Sequence, residues 1–182
     1  MKRSVLMAAG LLALSTAAFA QTPAEAIERA LSAAPANARA AAAVIKWKAD
    51  GSYDTLKEGT SRLVCYDQSG EPTEQPFAAQ CTSVGNLPRV ADNKKFEKEL
   101  DRVKRQAALD LAEKDGTRVK PEFGSVWYSR SGADAATARL HVTIAVPGAT
   151  TATLGLPDNN KMGGAYIMSA GTSSAHIMTP GS

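Results

Sequence analysis

The run Arg139-Leu140-His141-Val142-Thr143-Ile144-Ala145-Val146 decides the fold. Its apolar residues recur at every second position, the period of a strand with one face against a core. Leu140, Val142, Ile144 and Val146 are expected to face that core, which places Arg139, His141 and Thr143 on the opposite side. Just upstream, Ser131-Gly132-Ala133-Asp134 is turn chemistry, so residues 122–130 and 137–146 read as a hairpin that ends at Pro147-Gly148.

Working outward, residues 41–48 and 53–57 flank Ala49-Asp50-Gly51-Ser52, a second hairpin signal, and residues 62–66 continue as a strand. Residues 166–170 and 174–179 flank Gly171-Thr172-Ser173 and read as a closing hairpin. Two helices are expected. Thr22-Pro23-Ala24-Glu25 is a capping box with proline at the first helical position, followed by Ile27, Ala30, Leu31 and Ala34 at helical spacing. The longer one starts at Asp92 or Asn93, carries Phe96, Leu100, Val103, Ala107 and Leu111 as one apolar stripe, and stops at Gly116. Its charges read as a solvated face. The expected fold is therefore a single α+β domain over residues 21–182, a mostly antiparallel sheet covered by one long helix, with a short N-terminal helix.

Residues 1–20 read as a signal peptide, with Lys2 and Arg3 before an apolar run and Ala18-Phe19-Ala20 as the cleavage site. The chain has 182 residues, 44% hydrophobic and 21% charged. Its formal charge of +3 falls when Lys2 and Arg3 leave, and such a balance argues against nucleic acid as a partner. No later stretch is long and apolar enough for a membrane anchor. Export to the periplasm or the medium makes a Cys65–Cys81 disulfide the expected state of the two cysteines.

Phosphate-loop, zinc-protease and EF-hand motifs are absent. Gly171-Thr172-Ser173-Ser174-Ala175 superficially resembles a nucleophile elbow with Ser173 as the nucleophile, but its context is a hairpin tip rather than a strand-to-helix turn. Asp158-Asn159-Asn160 reads as a polar turn rather than a calcium loop. His141 and His176 are the two histidines. In His176-Ile177-Met178 the strand period brings imidazole and thioether to one side, a ligand set that favours Cu(I). Met168 joins them if the hairpin register pairs it with His176. A copper-type site on His141, His176, Met178 and Met168 is one expectation; a sheet face with Arg139, Tyr128 and Tyr166 that binds a small ligand or a protein partner is the other.

The run Gly163-Gly164-Ala165-Tyr166-Ile167-Met168, then Gly171-Thr172 and Ala175-His176-Ile177-Met178-Thr179-Pro180, resembles the C-terminal signature of an uncharacterised family of small exported bacterial proteins. Ala43-Val44-Ile45-Lys46-Trp47, Leu56-Lys57-Glu58-Gly59-Thr60 and Gln80-Cys81 extend the likeness in order and spacing. The resemblance implies export and a shared fold, and it links His141 with His176; it implies no activity. Thr143 stands where the family pattern has a second methionine after the first histidine, and Ser173-Ser174 where it has Pro-Tyr.

Overall fold

The computed structural model describes residues 22–72 and 74–179. The expected signal peptide and Pro180 lie outside the described residues. Helix α1 (Pro23–Leu31) opens the fold with the expected capping box, Thr22 accepting from the Glu25 amide and Glu25 reaching back to the Thr22 amide. Strands β1 (Ala43–Trp47) and β2 (Tyr53–Lys57) form the first hairpin, and β3 (Leu63–Asp67) pairs with β4 (Phe77–Ser83). Helices α2 (Leu87–Glu97) and α3 (Arg102–Lys114) follow, then β5 (Val126–Gly132), β6 (Arg139–Ala145), α4 (Thr151–Leu154), β7 (Tyr166–Met168) and β8 (His176–Met178).

The eight strands make one open, mixed sheet in the order β2-β1-β3-β4-β5-β6-β8-β7. Strand β1 runs parallel to β3, while every other neighbouring pair is antiparallel. The parallel step needs the chain to return tightly after β2, and Gly59 permits it: a Cβ there would lie 2.3 Å from the Ala43 amide nitrogen. Strand β4 carries no clean alternation because it is buried on both faces. On one face Ala30 of α1 and Ala33 and Ala34 of the turn after it pack on Val44, Cys65, Ala79 and Cys81; on the other Leu87 and Val90 of α2 pack on Ile45, Val64 and Tyr66.

No long helix covers this sheet, which corrects the expected arrangement. The apolar stripe reads as one helix, yet Asp101 interrupts it by capping α3, its Oδ1 accepting from the amides of Val103 and Lys104. Glu99 in turn accepts from the Asp101 amide. The break turns α3 off the sheet, so Leu100, Val103 and Leu111 are 66%, 79% and 57% exposed instead of buried. The first half of the helix also begins earlier, at Leu87 with Pro88 in its first turn. Leu140 differs too, at 43% exposure, because α1 packs over β1 to β4 and leaves that face of β6 without a helix.

Cys65 and Cys81 are disulfide-bonded as opposed residues of β3 and β4, with Cα atoms 4.0 Å apart. Among the described residues no helix is long and apolar enough to cross a membrane. The bridge closes a loop of sequence separation 16 that spans the turn-rich segment after β3. Replacing both cysteines by alanine is expected to cost about 3 kcal/mol in urea unfolding; a midpoint equal to the wild type would show that the β3–β4 pairing holds itself.

Candidate functional site

Pairing places every predicted residue. Met178 lies opposite Thr143 and Tyr166, and His176 lies opposite Ala145 and Met168. His141 lies opposite Ser129 and Arg139 opposite Ser131. Directly opposed residues share a side and alternate residues along a strand share it as well, so Arg139, His141, Thr143, Tyr166, Met168, His176 and Met178 face the same way. Tyr128 does not join them: it opposes Val142 and packs on the α1 side of the sheet. The two histidines sit on adjacent strands, but His141 is four residues along β6 from the position opposed to His176, roughly 14 Å away. Arg139 is exposed, and His141 and Tyr166 are half-buried.

The serine of the elbow-like run is a structural anchor. Ser173 is buried in the β7–β8 loop, its hydroxyl donating to Glu113 Oε1 and accepting from Arg89 Nη1 at 2.9 Å. Arg89 also donates to Ser174 Oγ at 2.7 Å and to the Val119 carbonyl at 2.5 Å. Burial, helped by nearby Arg118, pulls the Arg89 pKa down to about 10. Burial pushes the Glu113 carboxyl up, but the two hydrogen bonds from Ser173 and the charges of Arg89 and Arg118 outweigh it and hold it below its ordinary value. This knot ties α2 and α3 to the distal hairpin.

Between that knot and the sheet lies a cleft of about 320 Å³. Arg89, Val90, Asn93, Lys94 and Glu97 of α2 form one wall, and Gln80, Trp127, Ala145 and His176 of the sheet form the floor. Gln68 and Glu74 close the side nearest the β3–β4 turn. The floor is a hydrogen-bonded row: buried Tyr66 donates to Gln80 Oε1, and Gln80 Nε2 donates to Ser129 Oγ at 2.8 Å. Burial and the charges of Glu97, Glu71 and Glu74 hold the Tyr66 phenol protonated, which keeps its proton available for the donation to Gln80.

The charges of the cleft are unevenly matched. Lys94 donates to both carboxylate oxygens of Glu71 at 2.6 Å, and Arg118 pairs with Asp92 and donates to Asn93. Arg89 is held by the serine hydroxyls and the Val119 carbonyl. Among the described residues no donor reaches the side chains of Glu74 and Glu97. Burial pushes both carboxyls above their ordinary value; for Glu74 the charges of Glu97 and Glu71 add to it against that of Lys94, and for Glu97 Lys94, Arg105 and Arg118 oppose while Glu71 adds. Two half-buried, unpaired carboxyls cost stability, and such costs concentrate where a protein binds something.

Sequence reasoning misses these acids because the charges around α2 read as a solvated face. A signal is present: Leu87, Val90, Lys94 and Glu97 recur at spacing 3–4, so the stripe facing the sheet turns from apolar to polar halfway along. No family model, curated protein or solved structure matches the chain.

The raised carboxyls set a sign for pH dependence. Above about pH 4.5 the folded chain holds protons on Glu74 and Glu97 that the unfolded chain has released, so stability falls as pH rises through the range up to their raised values. A Glu74→Gln/Glu97→Gln variant is expected to melt a few degrees above the wild type at pH 7 and to converge with it at pH 4. A lower melting temperature at pH 7 would show instead that the carboxylates are paired in solution.

Proposed function

We propose that the protein is an exported binding protein, periplasmic or secreted, whose ligand is a small polar molecule carrying a cationic group, held in the cleft between α2 and the sheet with His176 at one end. The observation that carries the reading is the mismatch of hydrogen bonding: Lys94, Arg89 and Arg118 have hydrogen-bonded partners, whereas among the described residues no donor is bonded to the carboxyls of Glu74 and Glu97, although Lys94 lies near enough to act on both by charge. A ligand ammonium between them would supply the missing donors, and two half-desolvated carboxylates bind such a group more strongly than exposed ones do.

The remaining lining suits the rest of such a molecule. Gln68 and Asn93 present amides that can donate or accept, Trp127 offers an aromatic surface, and Val90 and Pro121 add apolar contact. A cavity of about 320 Å³ holds the volume of roughly ten waters, which matches a ligand of similar heavy-atom count. Cys65 and Cys81 are bonded to each other on the far face of the sheet and take no part in the cleft. His141, roughly 14 Å from His176 along the sheet, lies outside this cleft's lining.

Isothermal titration with diaminobutane and, separately, with succinate tests the charge assignment. Saturable heat is expected from the diamine at pH 7, weakened at least about tenfold by Glu97→Gln, the equivalent of one lost charge-assisted contact. Succinate is expected to give none. Heat from succinate with none from the diamine would reverse the assignment.

A further inference from the structure

We propose that His176, Met168 and Met178 form a binding site for one Cu(I) ion at the β7–β8 edge of the sheet. This site shares His176 with the floor of the ligand cleft, but its argument does not rest on the cleft's ligand.

The register leaves the three donors no other arrangement. Ile167 and Ile177 oppose each other and pack on Val146, Ala149 and Ala175. A slip of either strand by one residue would turn that strand's isoleucine to solvent, so the pairing is specified by burial. With the isoleucines inward, Met168, His176 and Met178 must share the other side. Met168 and His176 are directly opposed, with Cβ atoms about 4.5–5.5 Å apart, and Met178 follows His176 at roughly 7 Å along the strand. Methionine is unbranched with three rotatable bonds, so both thioethers can swing to an ion held by the imidazole.

The imidazole is oriented for this. His176 Nδ1 lies 2.8 Å from the Ser174 carbonyl oxygen, which can only accept. In the neutral ring this hydrogen bond favours the proton on Nδ1 and leaves the Nε2 lone pair available, the arrangement in which ligating histidines are usually found. Met168 is 48% exposed on an edge strand, so it contributes little to the core while its sulfur stays open to an incoming ion. His176 and Met178 are half-buried.

The donor set selects the metal. One imidazole nitrogen and two thioethers suit a soft monovalent ion, whereas the harder divalent metals would look for carboxylates, carbonyls or water. Among the described residues no group of three histidine, cysteine, aspartate or glutamate side chains could hold a metal ion. Both cysteines are bonded to each other. His141, two rows along the face, stands outside the set.

Titration of the exported chain with Cu(I) against a chromogenic Cu(I) chelator, with X-ray absorption on the loaded protein, tests the site. One equivalent is expected to bind, with sulfur and nitrogen scatterers around copper. Met168→Leu and Met178→Leu are each expected to weaken binding about tenfold and His176→Gln by more, with His141→Gln unchanged. Failure of the wild type to compete, a light-atom-only copper shell, or equal loss in His141→Gln and His176→Gln overturns the proposal. Met168→Leu changes an exposed side chain and keeps the test decisive should His176→Gln not fold. Glu97→Gln is expected to leave Cu(I) affinity unchanged while weakening the diamine, so the two sites succeed or fail separately.

Discussion

The pairing of β3 with β4 is the constraint from which the rest of the molecule is built. Once Cys65 stands opposite Cys81, Tyr66 must stand opposite Gln80, and every residue of the two strands is assigned to a face. The disulfide side then accepts the alanines of α1 and of the turn after it, whose small side chains allow a close approach; Cys81 Sγ lies 3.6 Å from the Ala30 carbonyl. The other side presents Val64 and Tyr66 to α2 and leaves Gln80 to continue the polar row. Shifting β4 by one residue would bury Gln80 beneath α1, turn Cys81 toward the cleft and part it from Cys65, so the disulfide fixes this register.

The second organising element is polar. Asn86 ends β4's connection to α2 with all its capacity used nearby: its amide donates to Thr82 and Ser125 hydroxyls, and its carbonyl accepts from the Glu122 amide. Arg89 and the Arg118–Asp92 pair then hold α2 against the segment before β5 and against the distal hairpin. Buried charges paired in this way add little net stability but leave few alternative arrangements, even though Arg118 Nε is buried without a partner among the described residues. Here they set the distance between α2 and the sheet, and hence the width of the cleft. Apolar packing alone, through Leu87 and Val90 at one end of α2, would leave the other end free to pivot.

How far the sequence can be read follows from which signals are local. Each hairpin is legible from alternation and turn residues, as Asp50-Gly51 and the Ser131–Asp134 turn illustrate, and the alternation of β6 correctly separates His141 from Val142. Strand β4 is not legible, because burial on both faces erases the period on which such reading depends. The helix break at Asp101 is hidden since an apolar stripe continues through it; the capping hydrogen bonds of a single aspartate outweigh the periodicity. Tyr128 falls on the other face from the one expected because residues 122–130 begin irregularly and its parity is set by pairing with β6. The acids of the cleft need tertiary structure, because whether a glutamate on α2 meets water or another carboxyl depends on what the β3–β4 turn brings opposite it.

Strands adjacent in sequence make four hairpins, and the joints between hairpins are the non-local steps. The joint between β4 and β5 spans the longest excursion: residues 84–125 leave the sheet, form α2 and α3, and return to the neighbouring strand, so that Gln80 and Ser129 meet across 49 positions of sequence. Closing such a loop comes late in folding because its entropy must be lost before its contacts form. The cleft is made of the two sides of that joint, with α2 as its wall and β4, β5 and β8 as its floor. A chain that has formed its hairpins but not this closure therefore has no cleft at all, so any molecule that bound there would select chains whose folding is complete.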